Sequence, residues 1–101
     1  MAGVRLATVA DLQLSNGTWK LSTLAVGMAS TKRDLEAKCP VPMSVSPTMA
    51  TIWATIIGIT ILKQVRGYEL RVTRAQRWLK TCSLPDTVAI DDLYGAAEEL
   101  L

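Results

Sequence analysis

The hydrophobic positions of this chain recur at spacings of three and four, and no window alternates as a half-buried strand would. Val4, Leu6, Val9, Leu12 and Gln13 keep helical spacing and predict a short helix over residues 4–14. Ser15, Asn16 and Gly17 close it with residues that tolerate left-handed dihedrals. Ser22 is placed to cap a second short helix carrying Leu24, Ala25 and Met28. Ser30 or Thr31 caps a third, with Asp34 three residues after Thr31 as a capping-box variant. Leu35 and Cys39 form its apolar pair four apart, and Pro40 ends it. Residues 40–46, rich in proline and serine, read as an extended connector.

The longest predicted element starts at Ser46 as N-cap and Pro47 as first helical residue, and runs to about Val65. No charge appears from Met49 to Leu62, and the wheel is apolar almost all round, which places this helix at the centre of a bundle or in lipid. Thr51, Ala54, Thr55 and Gly58 make its least bulky side, where a neighbouring helix can approach closely. The uncharged stretch from Pro40 to Leu62 raises a membrane span. Prolines and serines fill its first part, however, leaving an apolar core of about 14 residues where spanning needs roughly 20.

Gly67 interrupts the pattern, and a helix follows in which Tyr68, Val72, Ala75, Trp78, Leu79 and Cys82 share an arc of about 120°. Leu70 lies off that arc and calls for a second contact. A last helix sets Val88 or Ile90, Leu93, Ala97 and Leu100 on one side, with Ser83 or Asp86 as its cap. The expected fold is all-α: one domain over residues 1–101, a small orthogonal or up-down bundle of roughly four to six helices around one central apolar helix.

Composition narrows the chemistry. Histidine is absent, which removes the commonest general base and most zinc and haem sites. Half of the residues are hydrophobic, so the chain is expected either to span a membrane or to pack against something else. Cys39 and Cys82 stand far apart and are expected as two reduced, buried thiols, with one disulfide as the alternative. The net charge of +2 does not argue for nucleic acid. Arg66, Arg71, Arg74, Arg77 and Lys80 walk around their helix with no aromatic interleaved for base stacking, and read as a solvated face. Arg71 is the exception, inside the apolar arc near Trp78. It is expected to pair with an acid such as Glu69 or Glu36, the alternative being exposure to a partner. Asp91–Asp92 and Glu98–Glu99 find no converging ligand and form neither a metal site nor an acid–base pair. The six glycines are isolated, so there is no phosphate loop. Asn16-Gly17-Thr18 matches a glycosylation sequon, which matters only in a secreted chain. No signal peptide is evident at the N-terminus, and Met1-Ala2-Gly3 fits a piece cut from a longer protein. No enzyme activity, cofactor, metal or small-molecule substrate is expected.

The stretch Leu12–Ser22 carries two resemblances. Gln13, Gly17 and Trp19 are spaced as in the QW motif of triterpene cyclases, which braces helix ends; one copy cannot build that α/α barrel. Over most of the chain the sequence resembles the C-terminal helical region of proteins that join a VIT domain to a von Willebrand A domain. The related region of vault poly(ADP-ribose) polymerase is similar too. Leu12, Gln13, Gly17, Trp19 and Leu21 match the first part of the pattern; Trp53, Ala54 and Thr55 the second; Tyr68, Glu69, Leu70, Ala75, Trp78 and Leu79 the third. The segment between Leu62 and Tyr68 is shorter and less acidic than in that pattern, and Arg71 stands where it has an apolar residue.

That resemblance implies a non-catalytic, cytoplasmic docking module, the C-terminal piece of a larger protein. In the vault polymerase this region attaches the enzyme to the major vault protein. The alternatives are a purely structural domain packed on upstream VIT and von Willebrand A domains, or a single-span membrane protein anchored by Met49–Leu62. Arg71 and Arg74 are candidate partner contacts, and Met28, Met43 and Met49 make either an adaptable surface or core filler. Leu12, Gln13, Gly17, Trp19, Trp53, Tyr68, Leu70, Trp78 and Leu79 are the structural signature. In it, Gln13 offers its amide to the turn backbone, Gly17 allows the left-handed bend and Trp19 plugs the core.

Overall fold

A computed structural model describes residues 6–64, 66–84 and 88–100. The described residues form six α-helices and one 3-10 turn, with no strand. In chain order they are α1 (Leu6–Asp11), α2 (Leu21–Gly27), α3 (Lys32–Lys38), the 3-10 turn Met43–Val45, α4 (Met49–Leu62), α5 (Glu69–Leu79) and α6 (Ile90–Glu99). This is the all-α bundle around one apolar helix that the periodicity predicts.

α4 is the axis. α1, α2, α5, α6 and the 3-10 turn all pack on it, and every residue from Ile52 to Leu62 is buried. Each large side chain removed from water in this way contributes roughly 1.5–3 kcal/mol, and the cluster includes Ile52, Ile56, Ile57, Ile59 and Leu62, all at most 1 % exposed. The two buried threonines of α4 differ. Thr60 donates its hydroxyl to the Ile56 carbonyl at 2.8 Å, while Thr55 Oγ1, also buried, has no hydrogen-bond partner in the protein. Trp53 crosses to α3, its indole N–H donating to the Leu35 carbonyl at 2.7 Å. At 14 residues α4 is about 21 Å long, short of a bilayer core of roughly 30 Å. Among the described residues no helix is long and apolar enough to cross a membrane.

Local signals set several boundaries. Thr31 is the N-cap of α3, and its hydroxyl accepts the Asp34 N–H at 3.1 Å. α2 ends in a Schellman motif: Ser30 N–H donates to Ala25 at 2.8 Å and Ala29 N–H to Val26 at 3.1 Å. Ala29 takes the left-handed dihedral, φ +54°, that glycine fills in most such ends.

Other boundaries differ from expectation. Ser22 lies inside α2, whose N-cap is Lys20 without a side-chain bond. Leu21 is buried at the first turn, so apolar packing sets that start, not the serine. Ser46 does not cap α4. Ser46 to Met49 form a tight turn, Met49 N–H to Ser46 O at 3.2 Å, and the helix begins at Met49 behind Thr48. Pro47 occupies the second turn position, where its fixed φ fits equally well. α4 ends at Leu62 with Lys63 as C-cap, and Val65 lies outside the described residues. The connector over 40–46 is not wholly extended, since it contains the 3-10 turn. α1 ends at Asp11, before residue 14, and Val4 lies outside the described residues. Ala89, not Ser83, is the N-cap of α6; Asp86 also lies outside the described residues.

Candidate functional site

Of the signature residues, Gly17, Trp19, Trp53 and Leu79 are buried, Leu12, Gln13, Tyr68 and Trp78 half-buried, and Leu70 exposed. After α1 the chain reverses through residues 12–18. Leu14 N–H donates to Thr18 O at 2.7 Å and Gly17 N–H to Leu14 O at 2.9 Å. Asn16 Oδ1 accepts from both the Thr18 N–H, at 3.1 Å, and the Thr18 hydroxyl, at 2.6 Å. The sequon threonine is thus spent on this turn and only 1 % exposed. Gly17 has φ +94°, and a Cβ there would lie 2.8 Å from the Arg74 carbonyl oxygen. Two constraints, handedness and contact with α5, therefore both select glycine.

Gln13 clamps this turn to α5. Its side-chain amide donates to Gly17 O at 3.0 Å and to Arg71 O at 2.9 Å, while its own carbonyl oxygen is buried without a partner. The turn then delivers Trp19 to the core. The indole is fully buried, donates to Val9 O at 2.8 Å and lies flat against Gly58, where an added Cβ would sit 2.6 Å from the ring. The close approach at Gly58 was expected from a helix; a loop tryptophan occupies it instead, because an indole fills the notch in α4 more fully than a backbone would.

Arg71 corrects another expectation. It pairs with neither Glu69 nor Glu36. Its guanidinium donates to the Ala10 carbonyl at 3.0 Å, at the C-terminal end of α1 where a cation complements the helix dipole. Glu69 accepts the Gly67 N–H at 2.9 Å, and Glu36 faces Lys32 at 3.9 Å, the one ion pair among the described residues. Arg71 and Gln13 make reciprocal bonds: each reaches the backbone of the other's helix or turn.

Tyr68, Val72 and Trp78 pack half-buried on the core, Ala75 and Leu79 are buried, and Leu12 is half-buried. Leu70 gains no second contact and is 83 % exposed. Met28 and Met49 are core residues, 5 % and 0 % exposed, so the adaptable-surface alternative is left with half-buried Met43. Cys39 and Cys82 are free and half-buried, and burial pushes both thiols up from their ordinary range. Burial also raises Tyr94, whose ring lies 5.2 Å from the Lys63 ammonium.

Two features face outward. The first is an open groove of about 660 Å³ between α1 and α2, lined by Thr8, Leu12, Ser22, Val26 and Gly27 among others. Val26 on its rim is 78 % exposed. This groove did not figure among the sequence expectations, although the wheel of α2 signals it: Leu21, Leu24, Ala25 and Met28 face the core and leave Val26 opposite. The second is the solvent side of α5, with Leu70, Arg74 and Arg77. Among the described residues no three of Cys, Asp and Glu gather where they could hold a metal ion. Compared with protein-family models, curated proteins and solved structures, the chain matches none.

Proposed function

We propose that the chain is a non-catalytic protein-interaction module that docks its parent protein onto the vault particle through the major vault protein. One observation supports the reading. The three segments that resemble the VIT–von Willebrand A C-terminal region interlock by long-range contacts: Gln13 with Arg71, Gly17 with Arg74 and Trp19 with Gly58. In such a module the covered signature residues are scaffold, and the outward faces of α2 and α5, with Leu70 on the latter, are left for a partner. The test is a pull-down of purified major vault protein with this domain at micromolar concentrations. Recovery in a fixed ratio supports the proposal; no recovery ends it.

The α1–α2 groove favours a second reading, in which the module packs on upstream domains of its own chain. An apolar rim such as Val26 suits a permanent intramolecular contact. The native gene upstream of this segment distinguishes the two: a VIT and von Willebrand A pair without a polymerase domain supports the structural role.

A further inference from the structure

We infer that the solvent strip of α5 centred on Leu70 is a docking surface for an acidic, amphipathic segment of a partner protein; this rests on the interaction-module reading and names the chemistry of the partner. At 100° per residue, Arg74 and Arg77 lie within about 40° and 20° of Leu70 around the helix axis, one on each side. All three are exposed, Leu70 at 83 %. A single exposed leucine is ordinary on a protein surface. This one sits on the most basic stretch of the chain, where residues 66–80 hold five cations and one acid. That acid, Glu69, accepts the Gly67 N–H, and among the described residues no carboxylate pairs with Arg74 or Arg77. The clamp at Gln13 and Gly17 holds the turn carrying Leu14, itself 41 % exposed, alongside Arg71 and Arg74.

Leucine between arginines selects its occupant. Phosphate backbones would satisfy the guanidinium groups but strand Leu70 against charge, and the strip offers no aromatic to stack a base. An acidic amphipathic helix matches both: an apolar stripe on Leu70, carboxylates bordering it on Arg74 and Arg77. A second copy of this chain would have to present α6, with Ile90, Asp91 and Asp92. Three lysines of its own lie beside that helix, however: Lys80 lines a crevice with Ile90, Lys38 one with Glu99, and Lys63 covers Tyr94. α6 of a second copy is therefore the poorer complement of α5, and an acidic segment without lysines, from a different protein, the better one.

The experiment titrates the full chain against a labelled synthetic helix with a leucine stripe bordered by glutamates, read by fluorescence anisotropy. The expected result is binding that weakens as salt rises. Leu70→Ala weakens it roughly tenfold, Arg74→Gln with Arg77→Gln weakens it and flattens its salt dependence, and Val26→Ser leaves it unchanged. The same peptide with lysines in place of glutamates does not bind. Thermal melts of the variants confirm folding. No binding of the acidic helix, equal affinity of the variants, or tighter binding to a DNA duplex, phosphatidylserine vesicles or a second copy overturns the proposal. Vault recovery that survives Leu70→Ala overturns the strip but not the vault reading; peptide binding without vault recovery does the reverse.

Discussion

α4 buries every residue from Ile52 to Leu62, whereas α5, next along the chain, fully buries Ala75 and Leu79 alone. The difference lies in what each helix can lose. Nearly any change in α4 meets packed neighbours, because its sides are covered by α1, α2, α5, α6 and the indole of Trp19. α5 presents one side to α4, a second to the turn over residues 12–18, and the rest to water. Most signature residues lie where the helices are covered, Leu70 excepted, and Arg74 lies where α5 is open to water. Substitutions can therefore separate the packed positions from the exposed ones.

The largest effect is expected where the turn plugs the core. Trp19→Ala removes a fully buried indole and its bond to Val9, and should cost about 3–5 kcal/mol. An unchanged melting midpoint would place Trp19 on a surface and dissolve the contrast between the helices. Gly58→Ala attacks the same contact from α4. A Cβ 2.6 Å from the ring forces the indole or the helix to move, at about 1–3 kcal/mol. Since both changes act on one contact, the double variant should lose less than the sum of the singles in chemical denaturation. Additive losses would mean that the two sites do not touch.

At the border between the two helices' environments, Arg71→Met should cost about 1 kcal/mol by removing the bond to Ala10 while keeping the stem's packing. Glu69→Gln, by contrast, should leave the urea midpoint of the folded chain almost where it is. A loss for Glu69→Gln as large as for Arg71→Met would restore the ion pair that the geometry denies. Within α4, Thr55→Val keeps shape and deletes a buried hydroxyl without a partner, and should be neutral or stabilising by up to about 1 kcal/mol. A clear destabilisation would show that the hydroxyl is satisfied.

These cases also separate what was legible in the sequence from what was not. The uncharged run from Met49 to Leu62, the α3 cap (narrowed to Ser30 or Thr31) and the Gly17 bend are local: each depends on residues within a turn or so, and each was readable to that extent. The start of α4 was nearly so, displaced because Pro47 fits a turn as well as a first helical turn. The partners of Arg71, Gly58 and Gly17 were not readable. Ala10 is 61 residues from Arg71, and nothing in the local pattern says that a helix terminus, not a carboxylate, waits there. Leu70 shows the same limit from the other side. Its place off the apolar arc was visible, but whether a neighbour covers it depends on where the turn over residues 12–18 docks.

Leu70 therefore gives the smallest expected stability effect and the sharpest use of it. At 83 % exposure the side chain buries little area, so truncation forfeits little transfer energy. Alanine also has the higher helix propensity, which acts in the opposite direction by a few tenths of a kcal/mol. Leu70→Ala, like Arg77→Gln two turns further on, should shift stability by no more than about 0.5 kcal/mol in either direction, measured by urea denaturation beside Leu79→Ala. Leu79 is 7 % exposed and shares the helix, so its truncation should cost about 2–5 kcal/mol. If Leu70→Ala costs as much as Leu79→Ala, Leu70 is covered in the folded chain and α5 has no free side. If it costs nothing while weakening the acidic helix, the residue is held at the surface for a partner, and α5 differs from α4 in purpose as well as in burial.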